Sequence, residues 1–192
     1  GYGIQRGLHG TAYDKCYLAQ LGIGLDYLIN DKSDIVRAEV ARQKFGLDVL
    51  INDDSHSVRY AVAQVGYGLE KLINDSSPFV REAVAEQEYG LEKLVNDEDE
   101  SVRVEVAAKG YGLDKLINDE SCFVRAEVAK HGYRLNKLVK DPNVVVRMAV
   151  YLQNYGIEDY LPNDKGLFLD EQLDLVKSGI GLDVLCNSEY SN

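Results

Sequence analysis

Two residue types capable of strong ionic chemistry recur in lockstep along the chain. Asp31, Asp53, Asp75, Asp97, Asp119 and Asp141 are each followed six residues later by an arginine: Arg37, Arg59, Arg81, Arg103, Arg125 and Arg147. A row of guanidinium groups can grip phosphates through bidentate hydrogen bonds. The same residues can instead form a structural ladder, each Arg tied by charge-assisted hydrogen bonds to a carboxylate of its own or a neighbouring repeat. Six unvaried copies favour the ladder, since a site gains nothing from six copies whereas a ladder requires them.

Further carboxylates gather beside that Asp column. The four columns beginning at Asp31 to Asp34 hold 12 of the 32 acidic residues, among them Asp53, Asp54, Asp97, Glu98, Asp99, Glu100, Asp119 and Glu120. Carboxylates before and within the first turn of a helix complement its dipole by roughly 0.3–1 kcal/mol each. Stacked along one edge, they also make a stripe that steers a basic partner. A third set flanks the recurring Val-Arg dipeptide: Tyr60, Phe79, Val104, Phe123 and Met148 supply a bulky apolar group before or after it. This set either fills a seam between neighbouring long helices or lines an exposed strip that receives a partner.

Other chemistry finds little support. His9, His56 and His131 share no column, and no His or Cys pair has metal-ligand spacing. No phosphate-binding loop or nucleophile elbow occurs, so no catalytic residue, metal or cofactor is expected. Cys16, Cys122 and Cys186 are scattered and odd in number, which reads as free thiols in a reducing cytoplasm. A net charge of −11 disfavours phosphate backbones as partners. The apolar runs are too short to span a bilayer and no signal peptide is evident. The first residue is not Met and the opening resembles a repeat, so the chain reads as trimmed from a longer one.

The elements that position these residues follow from a 22-residue period, marked by Val-Arg at residues 36, 58, 80, 102, 124 and 146. Such a helical period predicts a solenoid, each unit burying its apolar face against its neighbours. Every unit begins with an aromatic or apolar residue (Ile23, Phe45, Tyr67, Tyr89, Tyr111, Tyr133), read as core, then Gly, with Arg134 as the exception. Leucines at i and i+3, followed by Ile or Val, predict a short helix of about two turns or a 3₁₀ stretch. Asn30, Asn52, Asn74, Asn96 and Asn118 are expected to end it in left-handed geometry. The N-cap types Ser33, Ser55, Ser77, Asp99, Ser121 and Asn143 open a second helix, with a buried stripe such as Val80/Val84 and small residues such as Ala85. The expectation is one elongated domain over 1–192: an N-terminal cap over 1–22, six regular repeats over 23–154, and a degenerate C-terminal cap over 155–192. That cap comprises a Leu-rich helix over 163–178 and a final repeat at 179–187.

The frame Leu69, Leu72, Asp75, Val80, Arg81, Val84, Ala85 recurs in the other regular units, with Tyr151 replacing Ala in the sixth. It resembles the leucine-rich repeat variant family and, more loosely, HEAT repeats, over roughly residues 11–187. The resemblance implies alternating short and longer helices in a right-handed all-α solenoid, used mostly as an interaction scaffold. That family is also associated with an iron–sulfur module on clustered cysteines, which Cys16, Cys122 and Cys186 do not match. The function expected is a non-enzymatic, acidic protein-binding module, monomeric or weakly dimeric, whose partner has a basic surface. The alternative is an acidic nucleic-acid mimic, of phage or mobile-element type, that inhibits a nucleic-acid-binding enzyme. A HEAT-like nucleic-acid-binding protein or enzyme ranks last.

Overall fold

The structure is a computed structural model that describes residues 9–153 and 155. The sequence-based expectations for residues 1–8 and 156–192 lie outside the described residues. Among the described residues the chain is all-α, with thirteen helices and no strand. Long helices of eight or nine residues alternate with helices of a single turn, and the repeat is a helical-repeat solenoid.

By its contacts the chain divides into two compact units, Gly1–Leu94 and Val95–Asn192. In the first, the long helices are α1 (Ala12–Gln20), α3 (Asp34–Arg42), α5 (His56–Gln64) and α7 (Pro78–Glu86). The single-turn helices are α2 (Leu25–Leu28), α4 (Leu47–Leu50), α6 (Leu69–Leu72) and α8 (Leu91–Leu94). Here α1 packs on α3, α3 on α5 and α5 on α7. In the second unit, long helices α9 (Glu100–Ala108), α11 (Cys122–Lys130) and α13 (Val144–Tyr151) alternate with α10 (Leu113–Leu116) and α12 (Leu135–Leu138). There α9 packs on α11 and α11 on α13.

Spacing builds the core. Both valines of every long-helix stripe, Val36/Val40 through Val146/Val150, are fully buried. So are Ala41, Ala63, Ala85, Ala107 and Ala129, where a side chain of one methyl group lets backbones approach. The second Leu of each short helix (Leu28, Leu50, Leu72, Leu94, Leu116, Leu138) is at most 2% exposed, and each such burial contributes roughly 1.5–3 kcal/mol.

One backbone expectation needs correction. Among the described non-glycine residues only Lys44, Glu88 and Arg134 have positive φ, so the Asn column is not left-handed. The turn closes without it: Asn52 N–H donates to the Val49 carbonyl at 3.0 Å and Asp53 N–H to the Leu50 carbonyl at 3.1 Å. The left-handed positions are the residue closing each long helix and the one opening each short helix. Gly68 shows why the second is glycine: φ is +62°, and a Cβ there would meet Ile51 Cδ1 at 2.2 Å. Lys44 and Glu88 hold the closing geometry at φ 59° and 56° without being glycine.

Candidate functional site

At Arg37, Arg59, Arg103 and Arg125 the same ionic joint is built from three short segments. In the first unit, Arg37 donates from Nε to Asp53 Oδ2 at 2.6 Å and from Nη2 to Oδ1 at 2.8 Å, while Nη1 reaches the Asp31 carbonyl at 2.7 Å. Arg59 repeats this on Asp75, at 2.6 and 2.8 Å, and on the Asp53 carbonyl at 2.7 Å. In the second unit Arg103 pairs bidentately with Asp119 and Arg125 with Asp141, all four bonds between 2.8 and 2.9 Å. Arg81 and Arg147 bond the carbonyls of Asp75 and Asp141 six residues upstream. The carboxylate partner thus lies sixteen residues ahead in the next repeat, and the carbonyl partner six residues behind in the same one.

The aspartates also organise the helix starts. Asp31, Asp53 and Asp75 accept from the amides of Ser33, Ser55 and Ser77 at 2.9 Å, two residues on. The side chains of those three serines make no N-cap hydrogen bond. Ser55 Oγ donates instead to Asp34 at 2.8 Å, across to the preceding repeat. Asp99, Ser121 and Asn143 do cap, each accepting from the amide two residues on. At the first repeat Lys15 occupies the Arg column and donates to Asp31 at 2.6 Å.

The electrostatics follow. Burial pushes the carboxyls of Asp31, Asp53 and Asp75 upward. The bonds from Lys15, Arg37 and Arg59, joined by the serine amides, outweigh it, and all three titrate below the ordinary carboxylate value. The same carboxylates raise Lys15, Arg37 and Arg59, and Asp119 and Asp141 raise Arg103 and Arg125. These side chains are at most 18% exposed, so the guanidinium groups face the joint rather than solvent.

A second row runs beside the first. Lys71 and Lys93 donate to Asn52 and Asn74 of the preceding repeat, and in the second unit Lys115 and Lys137 donate to Asn96 and Asn118. This is what the Asn column does in place of left-handed geometry.

The acidic edge divides accordingly. Asp53 and Asp119 belong to the ladder, Asp97 accepts from the Asp99 amide at 2.9 Å, and Asp99 caps α9. Asp54, Glu98, Glu100 and Glu120 are exposed, the last touching Arg103 at 3.5 Å while 88% of its side chain is in solvent. The apolar set does not form one strip. Met148 is 3% exposed and belongs to the core, because α13 carries apolar residues at most of its positions. Tyr60, Val104 and Phe123 are half-buried. Phe79 is 56% exposed and stacks on His56 with ring centroids 5.8 Å apart.

Two features escaped the reading of the sequence. The aromatic column, expected in the core, lies partly at the surface: Phe45, Tyr67, Tyr89 and Tyr111 are 39–41% exposed, whereas Ile23 and Tyr133 are half-buried. Three residues after it, the short helices carry a carboxylate column, Asp26, Asp48, Glu70 and Glu92 in the first unit and Asp114 in the second, all exposed. The signal was present as an acidic residue in the second position of these short helices.

The remaining candidates have structural surroundings. His9 lies edge-on to Tyr27 and His131 Nε2 donates to the Ala108 carbonyl at 3.1 Å. No group of three His, Cys, Asp or Glu among the described residues could hold a metal. Cys16 is a free thiol, whereas Cys122 is disulfide-bonded, which overturns the expectation of three free thiols. No helix among the described residues is long and apolar enough to cross a membrane.

No family model, curated protein or solved structure matches the chain. What the chain can do therefore rests on its own geometry. That geometry withdraws the guanidinium groups of the Val-Arg column into joints and leaves carboxylates and half-exposed aromatic rings in solvent.

Proposed function

We propose that this chain is a non-enzymatic, acidic helical-repeat scaffold that binds a protein through that partner's basic surface. One observation supports the reading above others: the short helices α2, α4, α6 and α8 each carry one exposed carboxylate, and three of the four are preceded by a half-exposed aromatic ring. A carboxylate attracts an ammonium or guanidinium group, and an aromatic face adds a cation–π contact of about 0.5–1 kcal/mol at exposed sites. The exposed Glu98, Glu100 and Glu120 give the second unit a similar capacity. The leucine-rich-repeat-variant-like architecture belongs to the same proposal.

The carboxylate column of the first unit, Asp26, Asp48, Glu70 and Glu92, also favours a second reading, in which the chain occupies the basic groove of a nucleic-acid-binding enzyme as a mimic of the phosphate backbone. Binding of a Lys/Arg-rich peptide, followed by fluorescence anisotropy, tests the first. The peptide binds at low salt and weakens as salt rises, whereas an uncharged peptide of the same length does not bind. Equal binding of both peptides contradicts the proposal. Inhibition of a nuclease that is relieved by added DNA favours the mimic.

A further inference from the structure

The short helix α12 reverses the charge of the columns it continues. Three columns hold through the five preceding repeats: glycine from Gly24 to Gly112, a carboxylate from Asp26 to Asp114, and asparagine from Asn30 to Asn118. All three break together in the next repeat, where Arg134, Asn136 and Lys140 stand. Each change makes the edge more positive. The repeat over 133–154 holds Arg134, Lys137, Lys140 and Arg147 against a single acid, Asp141, whereas the repeat over 89–110 holds six acids and three bases. The fold puts this charge in solvent. Leu138 is buried, Leu135 and Val139 are half-buried, and Arg134, Asn136, Lys137 and Lys140 are exposed on the outward side. Arg134, Lys137 and Lys140 follow one another at three-residue spacing, which makes neighbours on a helical turn. The backbone carries that turn: the Lys137 amide donates to the Arg134 carbonyl at 2.9 Å and the Lys140 amide to the Lys137 carbonyl at 3.2 Å.

Arg134 holds its place against strain. It opens α12 at φ +46°, where the other described short helices open on glycine. At Gly46, Gly68, Gly90 and Gly112 a Cβ would come within 2.1–2.5 Å of an Ile or Val side chain. Glycine is the undemanding choice in this slot, and a residue kept in left-handed geometry against it points to a use for its side chain. The guanidinium lies over the Tyr133 ring, 5.4 Å from its centroid, which steadies the group and leaves its N–H edge outward. Unlike the arginines of the Val-Arg column, neither Arg134 nor Lys140 makes an ion pair among the described residues.

We propose that this edge binds an acidic stretch of a partner protein, whose carboxylates meet Arg134, Lys137 and Lys140. The extent of the patch selects this occupant. It is one repeat wide, and the repeat before it carries exposed Asp114 and Glu120. A nucleic-acid backbone or an anionic membrane continues its charge past the patch and is repelled by those carboxylates. A short run of Asp or Glu ends where the patch ends, and each cation takes a carboxylate through charge-assisted hydrogen bonds. This inference uses α12 and is independent of the carboxylate surface proposed above for a basic partner.

Fluorescence anisotropy of a labelled glutamate-rich peptide, titrated with the full chain at low salt, tests it. Saturable binding that weakens as salt rises is expected. Arg134→Gly, Asn136→Asp and Lys140→Asn combined restore the residue types of the preceding repeats, so the variant keeps its circular dichroism and weakens binding about tenfold or more. Lys140→Asn alone, on an exposed side chain, weakens it about threefold. Lys32→Gln, Arg42→Gln and Lys44→Gln combined remove the same charge from exposed positions of the first unit and leave the affinity within about threefold of the parent's. A parent chain that does not bind the peptide overturns the proposal. So do an α12 triple variant that binds as the parent does, an equal loss in the two triple variants, or tighter binding of an equally charged oligonucleotide or of anionic vesicles than of the peptide.

Discussion

Arg103 holds three segments with one planar group: Nε and Nη2 on Asp119, and Nη1 on the Asp97 carbonyl. Its side chain is 9% exposed and that of Asp119 is 8%. Replacing it with Ala leaves a carboxylate without its cation in a poorly solvated joint. Arg103→Ala is therefore expected to destabilise the fold by roughly 3 kcal/mol, read from chemical denaturation. A denaturation midpoint equal to the parent's would mean the joint contributes nothing. Protons act on the same joints. A folded carboxyl with a lowered pKa contributes stability that is complete above the ordinary carboxylate value of 3.8 and is lost as pH falls through the lowered one. Melting temperature should hold steady from neutrality toward about pH 5 and fall below about pH 4, and a loss of stability centred above pH 5 would contradict this.

At the scale of the element, periodicity carried the fold because each slot answers to one physical demand. Val-x-x-x-Val, Leu-x-x-Leu and an N-cap residue place the stripe, the short helix and the helix start with no knowledge of neighbours. What sequence spacing did not reveal depends on contact between repeats. Six residues separate Asp and Arg in the chain, yet the carboxylate that Arg37, Arg59, Arg103 and Arg125 each meet is sixteen residues ahead, because stacking brings the next repeat's Asp alongside. Asn52 was read as a backbone device and is a side-chain acceptor for Lys71. Spacing leaves Met148 open between seam and exposed strip, and it is core, since column position alone does not say which face a neighbour covers. Gly68 was legible as a repeated residue but not in its cause. Its φ of +62° and the 2.2 Å approach of a Cβ to Ile51 Cδ1 act together. Gly68→Ala is expected to cost about 1–3 kcal/mol, more than the ordinary helix-propensity gain of Ala returns. A thermal melt showing Gly68→Ala as stable as the parent would remove that account.

Over the molecule, the charges sort into two populations. The arginines of the Val-Arg column and the first Asp column are spent on joints, while Asp48, Glu70, Glu92, Glu98, Glu100 and Glu120 stay exposed. The binding function proposed here belongs to the second population. Exposed charge acts mainly on the rate of encounter and is screened beyond about 8 Å at physiological salt. The most direct measurement is the association rate of a Lys/Arg-rich peptide against salt, for the parent and for Glu98→Gln, Glu100→Gln and Glu120→Gln combined with Glu70→Gln and Glu92→Gln. The parent should associate faster as salt falls, and the variant should show a flatter dependence and a slower rate at low salt, with an unchanged melting temperature. Identical rates and salt slopes for the two proteins would contradict the claim that this surface recruits a basic partner.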